Sequence, residues 1–222
     1  MDSSPASLGI DVLAIDARGH GQSDHHGAGR GSFGRLSHDV DAAVEWLQRR
    51  GAAPILGIGR SQGAAAIVLA AARSKGLAGV VVEAGPAAGM FSATWGLAAM
   101  LVIADEPAWK RVWLMLHMLR LSRPFRYFFQ IWSALFRLRR TPLIWIHGDS
   151  DRIIPRASAR LWFRALKQVG GPWREVCVPN AEHLRCLAVG HERIFVEIMR
   201  LVAECTGSPS RIFGEDEDDD KV

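Results

Sequence analysis

Residues 59–63 read Gly-Arg-Ser-Gln-Gly, a pattern that could hold a serine nucleophile. The apolar residues 54–58 precede it and the alanine-rich residues 62–72 follow, so we expect a strand, a sharp turn and a helix. Such a turn presents the hydroxyl of Ser61 above the edge of a sheet and directs the backbone N–H of Gln62 at a developing oxyanion. Glycines two positions on either side of the serine let the strand and the helix approach each other closely.

A serine hydroxyl is a weak nucleophile and needs a base that takes its proton. Two histidines in the last third of the sequence are candidates for this base. His183 lies in the loop five residues after the last strand-like run, whereas His191 falls inside the pattern of the final helix. We favour His183, because the active sites of open parallel sheets lie at the carboxyl ends of strands.

A carboxylate must orient the base, and two aspartates follow the strand-like residues 142–146. Both Asp149 and Asp151 are candidates. Asp151 lies further into the loop, which favours it as the orienting group. Asp149 is better placed to be a turn residue whose side chain hydrogen-bonds its own backbone.

Alternating strand-like and helix-like runs must position these side chains. Short apolar or β-branched runs alternate with longer runs whose apolar residues recur at helical spacing. The predicted strands are residues 10–15, 54–58, 79–82, 142–146 and 175–178, and the predicted helices are residues 36–49, 62–72, 157–169 and 184–203. This alternation predicts an α/β fold in which a mostly parallel sheet is covered by helices on both faces.

Length and composition indicate one domain with an insertion and a tail. We expect residues 1–213 to form this single domain, since 222 residues suffice for one full core. Residues 90–140 interrupt the alternation; they are rich in tryptophan and partly amphipathic, which predicts a helical lid. Residues 214–222 include six acidic side chains and are predicted to be a disordered tail.

The net charge of +4 is unevenly distributed. Between residues 106 and 140, eight lysines and arginines face one glutamate. A solvated basic face is the simplest interpretation, and attraction to an anionic membrane surface or an acidic substrate is the alternative. No nucleic-acid-binding motif accompanies the charge, so we expect no nucleic acid as a partner.

The uncharged residues 84–104 fit the end of a buried strand and a lid helix better than a membrane span.

The three cysteines lack any CxxC spacing, which argues against a disulfide framework and against a zinc site. The N-terminus is acidic and polar, whereas a signal peptide begins with a basic and then an apolar region. We therefore expect a cytoplasmic protein, with peripheral membrane contact through the basic lid as the one alternative. The predicted chemistry requires neither a metal nor an organic cofactor.

These motifs resemble those of the α/β-hydrolase superfamily, in the serine-hydrolase branch with its monoacylglycerol-lipase-like and serine-aminopeptidase-like members. Residues 11–23 look like the strand and D-x-R-G-H-G-x-S loop of the family, and residues 59–63 look like its nucleophile elbow. Residues 147–155 look like its acid loop, and residues 181–183 look like its base loop. Serine, aspartate and histidine also follow each other in the chain order of this superfamily.

The resemblance implies a hydrolase that cleaves a carboxylic ester or a related acyl bond through an acyl-enzyme. It implies Ser61 as the nucleophile, His183 as the base, Asp151 as the orienting acid and the N–H of Gln62 as an oxyanion donor. A small acyl substrate is expected, and the apolar, aromatic lid predicts that its acyl group is lipophilic. In the family the D-x-R-G-H-G loop is mainly architectural, so no catalytic role is expected there.

The sequence departs from the family before residue 10, where the family has further strands. One of those strands ends in an H-G-type loop that supplies a second oxyanion N–H. Removing one oxyanion donor costs roughly 2.7–4 kcal/mol of transition-state stabilisation in a known protease, and missing strands would expose a sheet edge. We favour a sequence that starts downstream of the true start. The alternative is a short member with weak or no activity, which binds a ligand, a partner or a membrane surface.

Overall fold

Four parallel strands form the sheet, as seen in a computed structural model that describes residues 9–24, 33–86, 107–110, 112–113, 116 and 123–207. The strands are β1 (Leu56–Arg60), β2 (Gly79–Glu83), β3 (Leu143–Gly148) and β4 (Trp173–Val178), in the spatial order β1-β2-β3-β4. Every residue of β2 and β3 is buried, which explains why these central strands read as continuous apolar runs. The carboxyl ends of all four strands lie at one edge of the sheet.

Helices connect the strands and cover both faces of the sheet. They are α1 (Phe33–Gln48), α2 (Gln62–Arg73), α3 (Arg123–Arg137), α4 (Arg156–Val169), α5 (Cys186–Val189) and α6 (His191–Thr206). On one face, apolar side chains of α1 to α4 pack together with those of β2 and β3. On the other face, Ile194 and Leu201 of α6 pack against Val81, Ile144 and Val176 of the sheet. The predicted α/β fold with helices on both faces is confirmed.

The predicted strand at residues 10–15 is wrong, because these residues do not join the sheet. Val12, Leu13 and Ile15 are 70%, 41% and 44% exposed, although β-branched residues such as Val12 and Ile15 normally pack inside a sheet. A groove of about 550 Å³ separates this segment from β1. A strand exists only where a neighbouring chain accepts its backbone hydrogen bonds, and among the described residues nothing fills this groove.

The outer edge of β1 is therefore open within the described part of the chain. The carbonyl of Ile55 accepts from Ala78 N–H and the N–H of Ser61 donates to Glu83, so the odd-numbered residues of β1 bond to β2. The backbone groups of the even-numbered residues point towards the groove. Ile58 is 57% exposed beside them, so this edge is both apolar and unpaired.

The predicted helix at residues 184–203 is also wrong, because it is divided into the short α5 and the longer α6. Leu184 adopts a left-handed conformation with φ 60°, which does not continue a right-handed helix. Gly190 separates the two helices, and a Cβ at this position would lie 2.9 Å from the side chain of Val178. A side chain at residue 190 would therefore press against Val178 where the chain turns against β4.

Two sequence-based predictions concern residues that the structure describes only in part or not at all. Much of the lid predicted at residues 90–140 lies outside the described residues, although α3 belongs to it and packs on the core through Ile131 and Leu135. The tail predicted at residues 214–222 lies wholly outside them. In the described part of the chain, no helix has both the length and the apolar character needed to cross a membrane.

Candidate active site

Ser61 occupies the turn between β1 and α2 and has strained backbone angles. Its φ of 48° and ψ of −111° are unusual for a residue that carries a side chain. The turn is held because the N–H of Ser61 donates to the carbonyl of Glu83 at 2.9 Å and its own carbonyl accepts from Ala64 at 3.1 Å. This geometry is the predicted elbow, in which the hydroxyl stands at the carboxyl end of the sheet.

Asp151 lies in the loop that follows β3 and is fixed by backbone hydrogen bonds. Its Oδ1 accepts from the N–H groups of Ile153 and Ile154, each at 2.8 Å. The side chain is 1% exposed, so the carboxylate is held in one orientation away from water. Its second oxygen, Oδ2, is left free to bond a side chain from another loop.

His183 joins the acid and the serine. It lies in the loop after β4, with Nδ1 2.8 Å from Oδ2 of Asp151 and Nε2 3.0 Å from Oγ of Ser61. The hydrogen-bond network assigns the proton to Nδ1, so that Nε2 accepts from the serine hydroxyl. The structure thus brings together the three side chains that the sequence singled out, with His183 within hydrogen-bonding distance of both Asp151 and Ser61. His191 does not take part, because its side chain is 75% exposed and faces Glu192.

Gln62 is the first residue of α2, directly after the serine. The first amides of a helix have no acceptor within the helix, so the N–H of Gln62 is available to a ligand. The helix dipole adds partial positive charge at the same place. This position suits the predicted oxyanion donor.

Asp149 has a different role from the predicted turn within its own loop. Its Oδ1 accepts from the backbone N–H of Asn180 at 2.7 Å and from the hydroxyl of Ser150 at 3.0 Å. Asn180 follows β4 and has a left-handed φ of 58°. Asp149 therefore ties the acid loop to the base loop, a long-range contact that the local sequence pattern did not reveal.

An ion pair between Arg60 and Glu83 lies next to the elbow and was not predicted from the sequence. The Nε of Arg60 donates to Oε2 of Glu83, whose side chain is 2% exposed. The sequence held one indication of this pair, because Glu83 is the one charged residue that ends the otherwise apolar strand β2.

Burial and the neighbouring carboxylate of Glu83 raise the pKa of the Cys186 thiol to about 12, so this cysteine stays protonated and is not a competing nucleophile.

A hydrogen bond within the D-x-R-G-H-G loop stabilises its conformation, and an ion pair joins the loop to α1. Arg18 forms an ion pair with Asp39 at 2.6 Å, and Asp16 accepts from the backbone N–H of Gln22 at 3.0 Å. These contacts fit the expected architectural role.

Among the described residues, no group of three or more His, Cys, Asp or Glu side chains is arranged to hold a metal ion.

His147 is a buried histidine on β3 whose charge state affects stability. It is 1% exposed, and neither ring nitrogen has a hydrogen-bond partner in the part of the chain that the structure describes. Burial lowers its pKa, and the carboxylate of Glu175, 3.5 Å away, only partly opposes this effect. The imidazole is therefore neutral in the folded protein at neutral pH.

We expect His147→Leu to flatten the dependence of stability on pH. The folded-state pKa lies below the unfolded value of about 6.5, so the unfolded chain binds more protons in the interval between them. Stability is thus present above about pH 6.5 and is lost as the pH falls towards the folded-state pKa. Thermal unfolding between about pH 8 and pH 5 measures this slope. His191→Gln changes an exposed histidine and serves as the control; equal slopes in His147→Leu and the parent protein would contradict the assignment.

Comparisons with known proteins agree with this fold. The family model of the serine aminopeptidases of the S33 type (Hydrolase_4) matches residues 6–124, more than half of the chain. A comparison with curated proteins finds no match. Among solved structures, an esterase of Pyrococcus furiosus, Pf2001, superimposes with a TM-score of 0.65 at 23% identity, covering 90% of this chain and 73% of that one.

Two further solved structures share the fold at lower identity. The α/β hydrolase GrgF of Penicillium sp. sh18 has a TM-score of 0.56 at 18% identity, with 86% of this chain and 78% of that chain covered. A puromycin hydrolase has a TM-score of 0.64 at 18% identity, with 81% of this chain but only 27% of the larger chain covered. The sheet, the elbow and the family match lead to one conclusion: the chain belongs to the S33 serine aminopeptidase family and has the α/β-hydrolase fold.

Proposed function

We propose that the protein is a serine hydrolase that cleaves a carboxylic ester or a related acyl bond through an acyl-enzyme. The observation that carries the proposal is the relay from Ser61 through His183 to Asp151, with separations of 3.0 and 2.8 Å. A serine hydroxyl placed against an imidazole that is itself oriented by a buried carboxylate is an activated nucleophile.

In the first half of the reaction, Oγ of Ser61 attacks the acyl carbonyl carbon while Nε2 of His183 takes the hydroxyl proton. The carbonyl oxygen becomes an oxyanion, which the N–H of Gln62 stabilises. Collapse of this intermediate breaks the bond to the leaving group, which receives the proton from His183. The products at this stage are a free alcohol or amine and an ester of Ser61.

In the second half, water attacks the acyl-enzyme and His183 takes its proton. The carboxylic acid is released, and the proton returns to Ser61. Asp151 keeps its charge throughout, because its role is to fix the imidazole and to stabilise the imidazolium. Its two backbone donors and its burial hold it in place for this task.

Covalent labelling with a fluorophosphonate tests the proposal on the nucleophile itself. We expect the parent protein to be labelled, Ser61→Ala to lose all labelling, and His183→Ala to react far more slowly because the hydroxyl has lost its base. Labelling is read by gel fluorescence and the modified residue by mass spectrometry. Hydrolysis of p-nitrophenyl butyrate is expected to fall in parallel.

Ser150→Ala is the matched control for this experiment. Ser150 is exposed in the neighbouring loop and its hydroxyl bonds to Asp149 instead of a histidine, so its loss should leave labelling intact. A folded parent protein that the probe does not label would refute the proposed function, as would labelling that persists in Ser61→Ala.

A further inference from the structure

We propose that the Arg60–Glu83 ion pair is a positioning device that holds the loop of His183 at the correct distance from Ser61. The inference rests on the proposed function and deepens it by naming two residues that act through the base. Neither side chain bonds to Ser61 or His183, so neither is assigned a catalytic role. Their contacts instead join the elbow to the loop that carries the base.

The carboxylate of Glu83 bonds to both parts of the site. One oxygen accepts from the guanidinium of Arg60, the residue before the nucleophile. The other accepts from the backbone N–H of Cys186 at 3.0 Å, three residues after His183. A carboxylate that is 2% exposed requires such partners, because a buried charge without them is strongly unfavourable. Folding of the buried strand end therefore fixes the elbow and the base loop relative to each other.

Arg60 makes the second connection to the base loop. Its Nη2 donates to the backbone carbonyl of Leu184, the residue directly after His183. Leu184 has a φ of 60°, a left-handed conformation that is unfavourable for a residue with a branched side chain. Strained residues persist where the surroundings fix them. The guanidinium of Arg60 donates to Glu83 through one nitrogen and to Leu184 through another, and these bonds fix Leu184 beside the imidazole of His183.

The backbone of Glu83 completes the arrangement. Its carbonyl accepts from the N–H of Ser61 at 2.9 Å, so the same residue holds the nucleophile by its main chain and the base loop by its side chain. Glu83 and its arginine partner thus link the elbow of Ser61 directly to the loop of His183. A misplacement of about 1 Å in a catalytic pair can cost about 10²-fold in rate.

The test uses the double variant Arg60→Met/Glu83→Gln. Arg60→Met alone leaves a buried, unpaired carboxylate and is expected to unfold the protein, whereas the double variant contains no unpaired buried charge. We expect the double variant to keep an unfolding midpoint near that of the parent. Its kcat for p-nitrophenyl butyrate should fall about tenfold to hundredfold with KM nearly unchanged, and fluorophosphonate should label Ser61 more slowly by a similar factor.

The control removes another, more exposed arginine–carboxylate ion pair that lies away from the site. Arg73 donates to Asp41 at 2.6 Å at the far end of α2, roughly 16 Å along the helix from the elbow. Arg73→Met/Asp41→Asn is expected to keep the kcat of the parent protein, since this pair joins only α1 and α2.

Each outcome separates the two proposals. A parent protein that the probe does not label contradicts the proposed function. A labelled parent, together with a double variant that keeps the parent kcat and labelling rate, contradicts only the positioning role. A double variant that fails to fold, or one that raises KM while kcat is unchanged, also overturns it, because the pair would then serve the fold or the binding of substrate.

Discussion

Asp151→Asn is expected to lower kcat by about 10⁴-fold while the protein stays folded, as the same substitution does in a protease triad. The amide oxygen of asparagine can still accept from Ile153 and Ile154, so the loop keeps its two backbone hydrogen bonds. The amide NH₂ then faces Nδ1 of His183, which must present a lone pair instead of a proton. The proton moves to Nε2, where it faces Ser61 and prevents the imidazole from acting as a base.

Asp149→Asn is the matched control for this prediction. Its amide oxygen can still accept from the N–H of Asn180, and the hydrogen bonds of His183 go to Asp151 and Ser61 instead. We therefore expect kcat to remain close to that of the parent protein. Steady-state hydrolysis of p-nitrophenyl butyrate and thermal unfolding of both variants measure the difference. A greater loss of kcat in Asp149→Asn than in Asp151→Asn would contradict the prediction, because it would identify Asp149 as the acid that orients His183.

Gly59→Ala is expected to destabilise the protein and abolish labelling of Ser61, whereas Gly63→Ala should do neither. A Cβ at residue 59 would lie 2.4 Å from the carbonyl oxygen of Gly63 and 2.8 Å from the backbone nitrogen of Ala64. Backbone atoms at these distances cannot move aside cheaply, because they belong to the first turn of α2. Forcing β1 and α2 apart should cost about 1–3 kcal/mol or more and displace the serine between them.

Gly63 offers the opposite environment in the same motif. A Cβ at residue 63 meets nothing within 4 Å, and alanine is favoured over glycine within a helix by about 0.5–1 kcal/mol. Gly63→Ala should therefore be as stable as the parent or slightly more stable, with normal labelling. Thermal unfolding and fluorophosphonate labelling of the two variants provide the comparison. Equal losses in both would mean that the close approach at residue 59 does not govern the elbow.

The family motif could not distinguish these two glycines. A glycine two positions before the serine and one two positions after it look equivalent in the sequence, and both were expected to permit close approach. Only one of them lies where a side chain would collide with the backbone, because β1 ends against α2 on the side of Gly59. The difference depends on the crossing of two elements, which no local pattern encodes.

Local patterns did determine the fold class and the three candidate catalytic side chains. Strand-like runs carry β-branched residues and helix-like runs carry apolar residues at helical spacing, so the alternation that produces a parallel sheet is readable residue by residue. The residues that follow such strands must meet at one edge of the sheet. For this reason Ser61, Asp151 and His183 could be selected before their separations of 3.0 and 2.8 Å were known.

Pairing between distant parts of the chain was decided only by the tertiary structure. The residues at 10–15 have a strand-like sequence but lie across a groove from β1, because a strand also needs a hydrogen-bonded neighbour. Asp149 was expected to close its own turn, and instead it holds the loop of Asn180. In the sequence, Glu83 stands out only as the charged end of an apolar run, and no local pattern pairs it with Arg60. Their significance arises because the fold buries the carboxylate between the elbow and the base loop, where an unpaired charge could not persist.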